Sequence, residues 1–208
     1  MTLGDELAAL FRAEREMAAA EARVLGHDAS ALATALSAAV EEAEGLDEHD
    51  EAVRRLQRLA DLCAQVPGPE PVRCLLRILA HPEPAVRVEA GEALRDVAFE
   101  RFKEVARAVE GALADGREDL AMEELPFVLT EVRDPDPVPL LGRFLAAKRA
   151  EVVAATIEAL ADYGDPAAVA LLSPLVDDDR EATLEDLEED VVRVGDLAAE
   201  AIRDLGGE

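Results

Sequence analysis

The stretch PAVRVEAGEALRDV at residues 84–97 decides how this chain folds. From Val86 onward its apolar residues fall at i, i+4, i+7, i+8 and i+11, a spacing that places them on one face of an α-helix. Pro84 stands at the start, where the first turn of a helix tolerates proline. The stretch therefore predicts an amphipathic helix that packs one face into a core.

The same spacing recurs in four more places, which begin at Ala52, Ala121, Val152 and Val194. The five starting points lie 34, 35, 31 and 42 residues apart. Shorter apolar stripes alternate with these helices, at residues 72–79, 105–112, 138–145 and 169–176. Two helices in a period of thirty-odd residues indicate an α-solenoid. We expect an all-α, right-handed stack of about five helix pairs without a sheet, and a kink or split at Pro126.

Two segments, PAVRVEAGEAL at 84–94 and EALADYGDPAAV at 158–169, resemble HEAT-like repeats, especially the bacterial kind named after phycobilin lyases. The resemblance extends over about residues 46–208. It implies the solenoid fold, but such repeats serve many roles and so imply no single function. The family's Val-Arg pair is in register only at Val86 and Arg87. A regular ladder of charge pairs between repeats is therefore not expected.

The N-terminal part divides into two predicted helices. Residues 1–27 are expected to form a capping helix for the exposed end of the stack, and residues 28–208 the HEAT-like repeat domain. The alternative for residues 5–25 is a dimerisation helix, because a terminal apolar face needs a cover. The sequence has neither a signal peptide nor an apolar run long enough to span a membrane, so the cytoplasm is the expected location.

The net charge of the chain limits the classes of partner that it can bind. The chain has 47 acidic and 21 basic residues, a net charge of −26, which disfavours nucleic acid and anionic membranes and favours a basic protein. Residues 177–190 hold nine acids and one arginine, inside the longest interval between repeats. We interpret them as an acidic insertion whose alternative is a solvated loop. The predicted partner-binding residues are Asp177, Asp178, Asp179, Glu181, Glu185, Asp186, Glu188, Glu189 and Asp190.

Catalytic patterns are missing from the sequence. His27, His49 and His81 fall in predicted turns or at helix starts, without a nucleophile in an obvious arrangement. The chain has no metal-ligand spacing, and we predict no catalytic residue, metal or cofactor. Cys63 and Cys74 are predicted to be buried thiols on antiparallel helices, with reversible pairing as the alternative.

These observations favour a non-enzymatic interaction module or adaptor that binds a basic protein partner. Its surface would be the acidic insertion or the face formed by the second helix of each pair. One alternative is a lyase-like enzyme, or a subunit of one, of the HEAT-repeat class. Another is an acidic inhibitor or immunity protein that mimics nucleic acid.

Overall fold

The computed structural model describes residues 2–183 and 191–206, and this part of the chain is almost entirely helical. Its ten helices are α1 (Leu3–Leu25), α2 (Ala29–Glu44), α3 (His49–Gln65), α4 (Pro69–Leu79), α5 (Pro84–Ala114), α6 (Leu120–Thr130), α7 (Val138–Phe144), α8 (Ala150–Tyr163), α9 (Ala168–Leu172) and α10 (Val194–Asp204). A 3₁₀ turn at Ser173–Leu175 extends α9, and two short strands, β1 (Glu181–Thr183) and β2 (Val191–Arg193), precede α10.

Helix α5 contains two helices of the repeat. Arg101 has φ −140° and ψ 43°, which breaks the helical path between an N-terminal arm (residues 84–100) and a C-terminal arm (residues 102–114). Neither glycine nor proline marks this break. The sequence located it because one apolar stripe ends at Val97 and another begins at Val105.

The helices form five pairs, as expected for an all-α solenoid. The pairs are α2 with α3, α4 with the N-terminal arm of α5, its C-terminal arm with α6, α7 with α8, and α9 with α10. Helix α3 packs against α5, α6 against α8, and α8 against α10. The second helices of successive pairs therefore follow one another along one side of the stack.

The core consists of the apolar positions that the repeat pattern predicts. Val86, Ala90 and Leu94 have no exposed surface, and neither do Val152 and Leu160 at matching positions of α8. Alanine at the central position lets neighbouring helices approach closely, which larger side chains would prevent. The burial confirms the register of the repeat.

A kink or a split was expected at Pro126, and the split does not occur: α6 runs without interruption from Leu120 to Thr130. Proline removes one hydrogen bond, that of its own missing N–H group, and crowds the preceding turn. Pro126 is buried between Leu125 and Leu129, both without exposed surface. Packing of this face against the core keeps the helix continuous despite that cost.

Arginine side chains connect neighbouring repeats. Arg77 pairs with Glu44, and Arg143 Nη1 lies 2.9 Å from Glu110 Oε1; each pair spans 33 residues and joins first helices of successive pairs. Arg87 Nε lies 3.1 Å from Glu124 Oε1 and joins α5 to α6. Charge pairs with the period of the repeat were not expected from the Val-Arg pattern. Arg77 and Arg143 lie at positions that this pattern does not cover, whereas Arg87 is the arginine of the pattern itself.

A small sheet corrects the expectation of a purely helical chain. Strand β1, inside the segment interpreted as an insertion, pairs antiparallel with β2, directly after it, and places Ala182 opposite Val192. Ala182 is fully buried, and β1 packs against α8. Arg180 Nη1 donates to the carbonyl oxygens of Ala147, at 2.8 Å, and Lys148, at 3.0 Å. The base of this hairpin is therefore part of the core.

No helix in the described residues is both long and apolar enough to cross a membrane.

Candidate functional site

The predicted acidic site lies at the hairpin, and the structure describes four of its nine residues. Asp177, Asp179 and Glu181 are exposed, whereas Asp178 is half-buried. The other five, Glu185, Asp186, Glu188, Glu189 and Asp190, lie outside the described residues. Their part in partner binding stays a prediction.

Asp178 has a structural partner within the chain. Arg180 Nε lies 3.0 Å from both of its carboxylate oxygens, and Arg180 Nη2 lies 2.6 Å from Oδ2. These charged hydrogen bonds hold the pKa of Asp178 below its ordinary value. Asp179 differs, because its side chain is 88% exposed although Oδ1 lies 2.6 Å from Arg193 Nη1. Asp179 can therefore meet a partner at little cost, while Asp178 anchors Arg180.

A second acidic surface follows the second helices, and its residues are not among those predicted from the sequence to bind a partner. Let i be the residue at which the apolar pattern of each second helix begins. The side chains at i+6 and i+10 then point away from the core. In four of the five helices these positions hold Glu92 and Asp96, Phe127 and Glu131, Glu158 and Asp162, Glu200 and Asp204. This recurrence was the signal available in the sequence. We call the surface the second-helix face.

Between α8 and α10 the second-helix face has a groove of about 320 Å³. Four carboxylates line it, from Glu158 and Asp162 on one side and from Glu200 and Asp204 on the other. Ala161 and Leu197 are among its apolar lining residues, and none of its described lining residues is basic. The groove can therefore accept a positively charged side chain with an aliphatic stem.

A groove of about 280 Å³ between α3 and α5 brings like charges together. Glu89 is half-buried here beside Asp61 and Glu92. Desolvation is the largest cause that raises the pKa of Glu89, and repulsion from the carboxylates of Asp61 and Glu92 raises it further. Like-charge crowding of this kind costs stability and is more typical of binding surfaces than of structural ion pairs.

The groove between α5 and α6, of about 230 Å³, is the apolar part of the face. Val88, 61% exposed, and Phe127, 38% exposed, both line it. At its edges Arg87 pairs with Glu124, and Arg95 Nε lies 2.9 Å from Glu131 Oε2. These two arginines are thus held within the fold, and the groove offers apolar surface between the two more acidic grooves.

Groups suited to catalysis do not converge in the described residues. His81 Nδ1 accepts a hydrogen bond from the Glu83 N–H at 3.1 Å, and burial lowers the pKa of His81. No group of three or more potential metal ligands occurs in residues 2–183 and 191–206. Cys63 and Cys74 are buried free thiols; their mutual contact, together with burial, raises the pKa of Cys63. Cys63 is 1% and Cys74 5% exposed, so neither thiol is accessible as a nucleophile.

One family model matches part of this chain, and two solved structures align with most of it. Residues 109–189 match a family model described as HEAT repeats. An engineered protein from the Northeast Structural Genomics Consortium aligns over 92% of this chain and 90% of its own, at 20% identity and a TM-score of 0.36. A second engineered protein from the same consortium aligns over 90% of this chain and 56% of its own, at 19% identity and a TM-score of 0.36.

No curated protein sequence matches the chain. The match at residues 109–189 is to HEAT repeats in general, so the phycobilin-lyase subtype stays a prediction. The matched repeats and the paired helices together make the chain a HEAT-like repeat protein.

Proposed function

We propose that this chain is a protein-interaction module whose second-helix face holds a basic segment of a partner protein. HEAT repeats commonly serve as scaffolds for protein interactions, which supports the general role. The observation that carries the specific proposal is that acids occupy seven of the eight i+6 and i+10 positions in four successive second helices, the eighth being Phe127. Glu92 and Glu131 line the same groove as the exposed side chains of Val88 and Phe127.

The two parts of the face have different roles in binding. Apolar side chains that become buried between partners supply most of the free energy that holds a complex. Clustered carboxylates attract a basic segment over distance and exclude acidic ones, which affects association rate and specificity more than affinity. The preferred ligand is therefore a segment with both basic and apolar side chains, such as an amphipathic basic helix.

The charge of the chain is available for this role because its cations are largely engaged internally. Nineteen of the 21 basic residues are arginines. Many of them are held by carboxylates or backbone carbonyls, as Arg77, Arg87 and Arg180 are. Carboxylates remain in excess over the chain as a whole, and they would repel nucleic acid.

Synthetic peptides test the proposal by fluorescence anisotropy with the whole chain. One probe is a helical peptide of Lys and Leu at i, i+3 and i+4 spacing; the controls replace Lys with Glu or Leu with Ser. We expect the Lys-Leu peptide to bind more tightly than both. Equal binding of the Glu-Leu peptide, or no binding of any peptide, would contradict the proposal.

Two variants locate the site. Val88→Ser combined with Phe127→Ser should weaken binding of the Lys-Leu peptide about tenfold, or ~1.4 kcal/mol. Phe99→Ser is the matched control, because Phe99 is 62% exposed but does not line the groove. A loss of affinity in the Phe99 variant equal to that of the double variant would place the site elsewhere.

A further inference from the structure

Helix α1 carries an apolar surface that the rest of the described chain leaves uncovered. None of its 23 residues is buried. Leu3 is 72% exposed, Leu7 45%, Leu10 and Phe11 52% each, and Met17 54%. Their spacing of three, four and seven residues places these side chains along one side of the helix. We call this side the α1 stripe.

The helix contacts the stack only near its C-terminal end. Glu21 accepts hydrogen bonds from Arg58, at 2.7 Å, and from Gln65, at 3.1 Å, and Leu25 packs at the edge of the core. The preceding turns lie beyond these contacts. A helix of 23 residues is roughly 34 Å long, and isolated helices of modest length are marginal in water. The α1 stripe therefore needs a partner to cover it.

Charge identifies a second copy of this chain as the partner that suits the stripe. Helix α1 has five acidic and three basic residues, a net charge of −2, in a chain of −26. Helix α1 is thus a nearly neutral surface on a strongly acidic molecule. A nearly neutral surface attracts a basic partner only weakly. Two such helices can approach each other without the repulsion that the rest of the chain would cause.

The sequence of the stripe also determines the orientation of the pair. Glu14 lies in line with Leu7, Leu10 and Met17, at the seam of a helix pair. In a parallel pair Glu14 would face its own copy and lose solvation. An antiparallel pair centred near Leu10 avoids that contact and sets Leu3 beside Met17 of the other copy.

Repulsion between the two solenoids favours the same orientation. In the antiparallel pair the two copies of Leu25, where each solenoid begins, lie roughly 45 Å apart. That separation is several times the screening length of about 8 Å in physiological salt. A parallel pair would bring the two acidic bodies side by side. We propose that the α1 stripe forms an antiparallel helix pair with a second copy of this chain.

The mass of the whole chain in solution tests the pairing. Sedimentation velocity over about 1–100 μM should show the 22.2 kDa chain converting to twice its mass as concentration rises. Added salt should strengthen the association, because it screens the repulsion between acidic bodies. A monomer throughout the range would overturn the proposal.

Charge variants on opposite sides of α1 separate pairing from other effects. Leu7→Glu with Leu10→Glu should abolish the dimer, whereas Ala8→Glu with Ala19→Glu, on the other side, should leave it intact. Both pairs add the same charge at exposed positions, so folding and melting temperature should stay unchanged. A dimer that survives Leu7→Glu with Leu10→Glu would place the interface elsewhere.

Disulfide trapping tests the orientation. Chains with Leu3→Cys should cross-link to chains with Met17→Cys under mild oxidation, and not to themselves. The native Cys63 and Cys74 are buried and should not interfere. Self-cross-linking of Leu3→Cys in preference to the mixed pair would show a parallel dimer and overturn the antiparallel arrangement.

Discussion

At the scale of single residues, Gly195 shows that the hairpin is built into the fold. A Cβ atom there would lie 2.5 Å from the carbonyl oxygen of Val176 and 3.0 Å from that of Asp178. Because both obstacles are backbone atoms, they cannot rotate away. Gly195→Ala should therefore lower the free energy of unfolding by roughly 1–3 kcal/mol. Thermal unfolding followed by circular dichroism measures the change.

Gly91 provides the matched control for Gly195. It also lies in a second helix, but an added Cβ would contact only Leu79 Cδ1 at 3.9 Å. Gly91→Ala should raise the free energy of unfolding by about 0.5–1 kcal/mol, because alanine loses less conformational freedom in a helix. A loss of stability in both variants would mean that the packing around Gly195 is not the cause.

Glu89 is expected to reduce stability at neutral pH. Its pKa is raised above the ordinary value of 4.5. The folded state therefore binds the proton more tightly than the unfolded state does. The stabilisation is complete below pH 4.5 and is lost as the pH rises through the folded-state pKa. Glu89→Gln should increase the free energy of unfolding at pH 7 by about 0.5 kcal/mol, and this gain should shrink toward pH 4.

Urea denaturation at several pH values measures that effect. Glu100→Gln is the control, since Glu100 is an exposed acid on the same helix. An equal gain in both variants would show that reduced net charge, and not crowding at Glu89, is responsible. If the crowding at Glu89 serves partner binding, Glu89→Gln should also weaken binding of the Lys-Leu peptide. The free energy of unfolding would then rise while the affinity for the peptide falls.

At the scale of elements, the hairpin changes what can be removed from the acidic segment. The interpretation of residues 177–190 as an insertion implies that replacement of residues 179–189 by a flexible linker would leave folding intact. That replacement would delete Arg180, which donates a hydrogen bond to the Ala147 carbonyl oxygen. It would also delete Ala182, whose side chain is buried in the core. It should therefore destabilise the last repeat.

Replacement of residues 184–190 alone is the better experiment. Thr183 pairs with Val191, so an Asn-Gly turn can join the two strands directly. This change removes five acids and should leave the melting temperature within about 2 °C. It should slow association with the Lys-Leu peptide if the acids attract the partner. An unchanged association rate would limit binding to the second-helix face.

Elements with a strong apolar period were predictable from sequence, and the hairpin was not. Helices such as α3 and α8 follow because a core face repeats every three to four residues. The strands β1 and β2 are three residues each, too short to show alternation, and β1 follows a run of three aspartates. Only contacts with distant residues, such as that of Arg180 with Ala147, fix that segment as structure.

The kind of candidate site and the face of the second helices were predictable from sequence, but the residues of that face were not. An excess of carboxylates is visible in the composition, and it led to a basic partner. Sequence reasoning then favoured the densest acidic run, at residues 177–190. It did not single out Glu92, Glu158 and Glu200, which stand at one repeat position; Glu158 and Glu200 line one groove only because α8 packs against α10. Exposed apolar residues such as Val88 are also visible only after the core is known.

At the scale of the whole molecule, net charge and the apolar groove should affect different steps of binding. A charge of −26 attracts a basic segment from a distance, and salt screens this attraction beyond about 8 Å at physiological ionic strength. The association rate of the Lys-Leu peptide should therefore fall at least tenfold between about 0.05 and 0.5 M salt, as stopped-flow anisotropy would record.

The dissociation rate should respond to the groove instead. Val88→Ser with Phe127→Ser removes contacts made only after docking, so it should speed dissociation and leave the salt dependence of association unchanged. Removal of residues 184–190 should instead reduce the salt dependence of the association rate and have little effect on the dissociation rate. If association stays flat across the salt range while the groove variant still loses affinity, binding is mainly apolar. The acidic positions of the second helices would then have no part in partner capture.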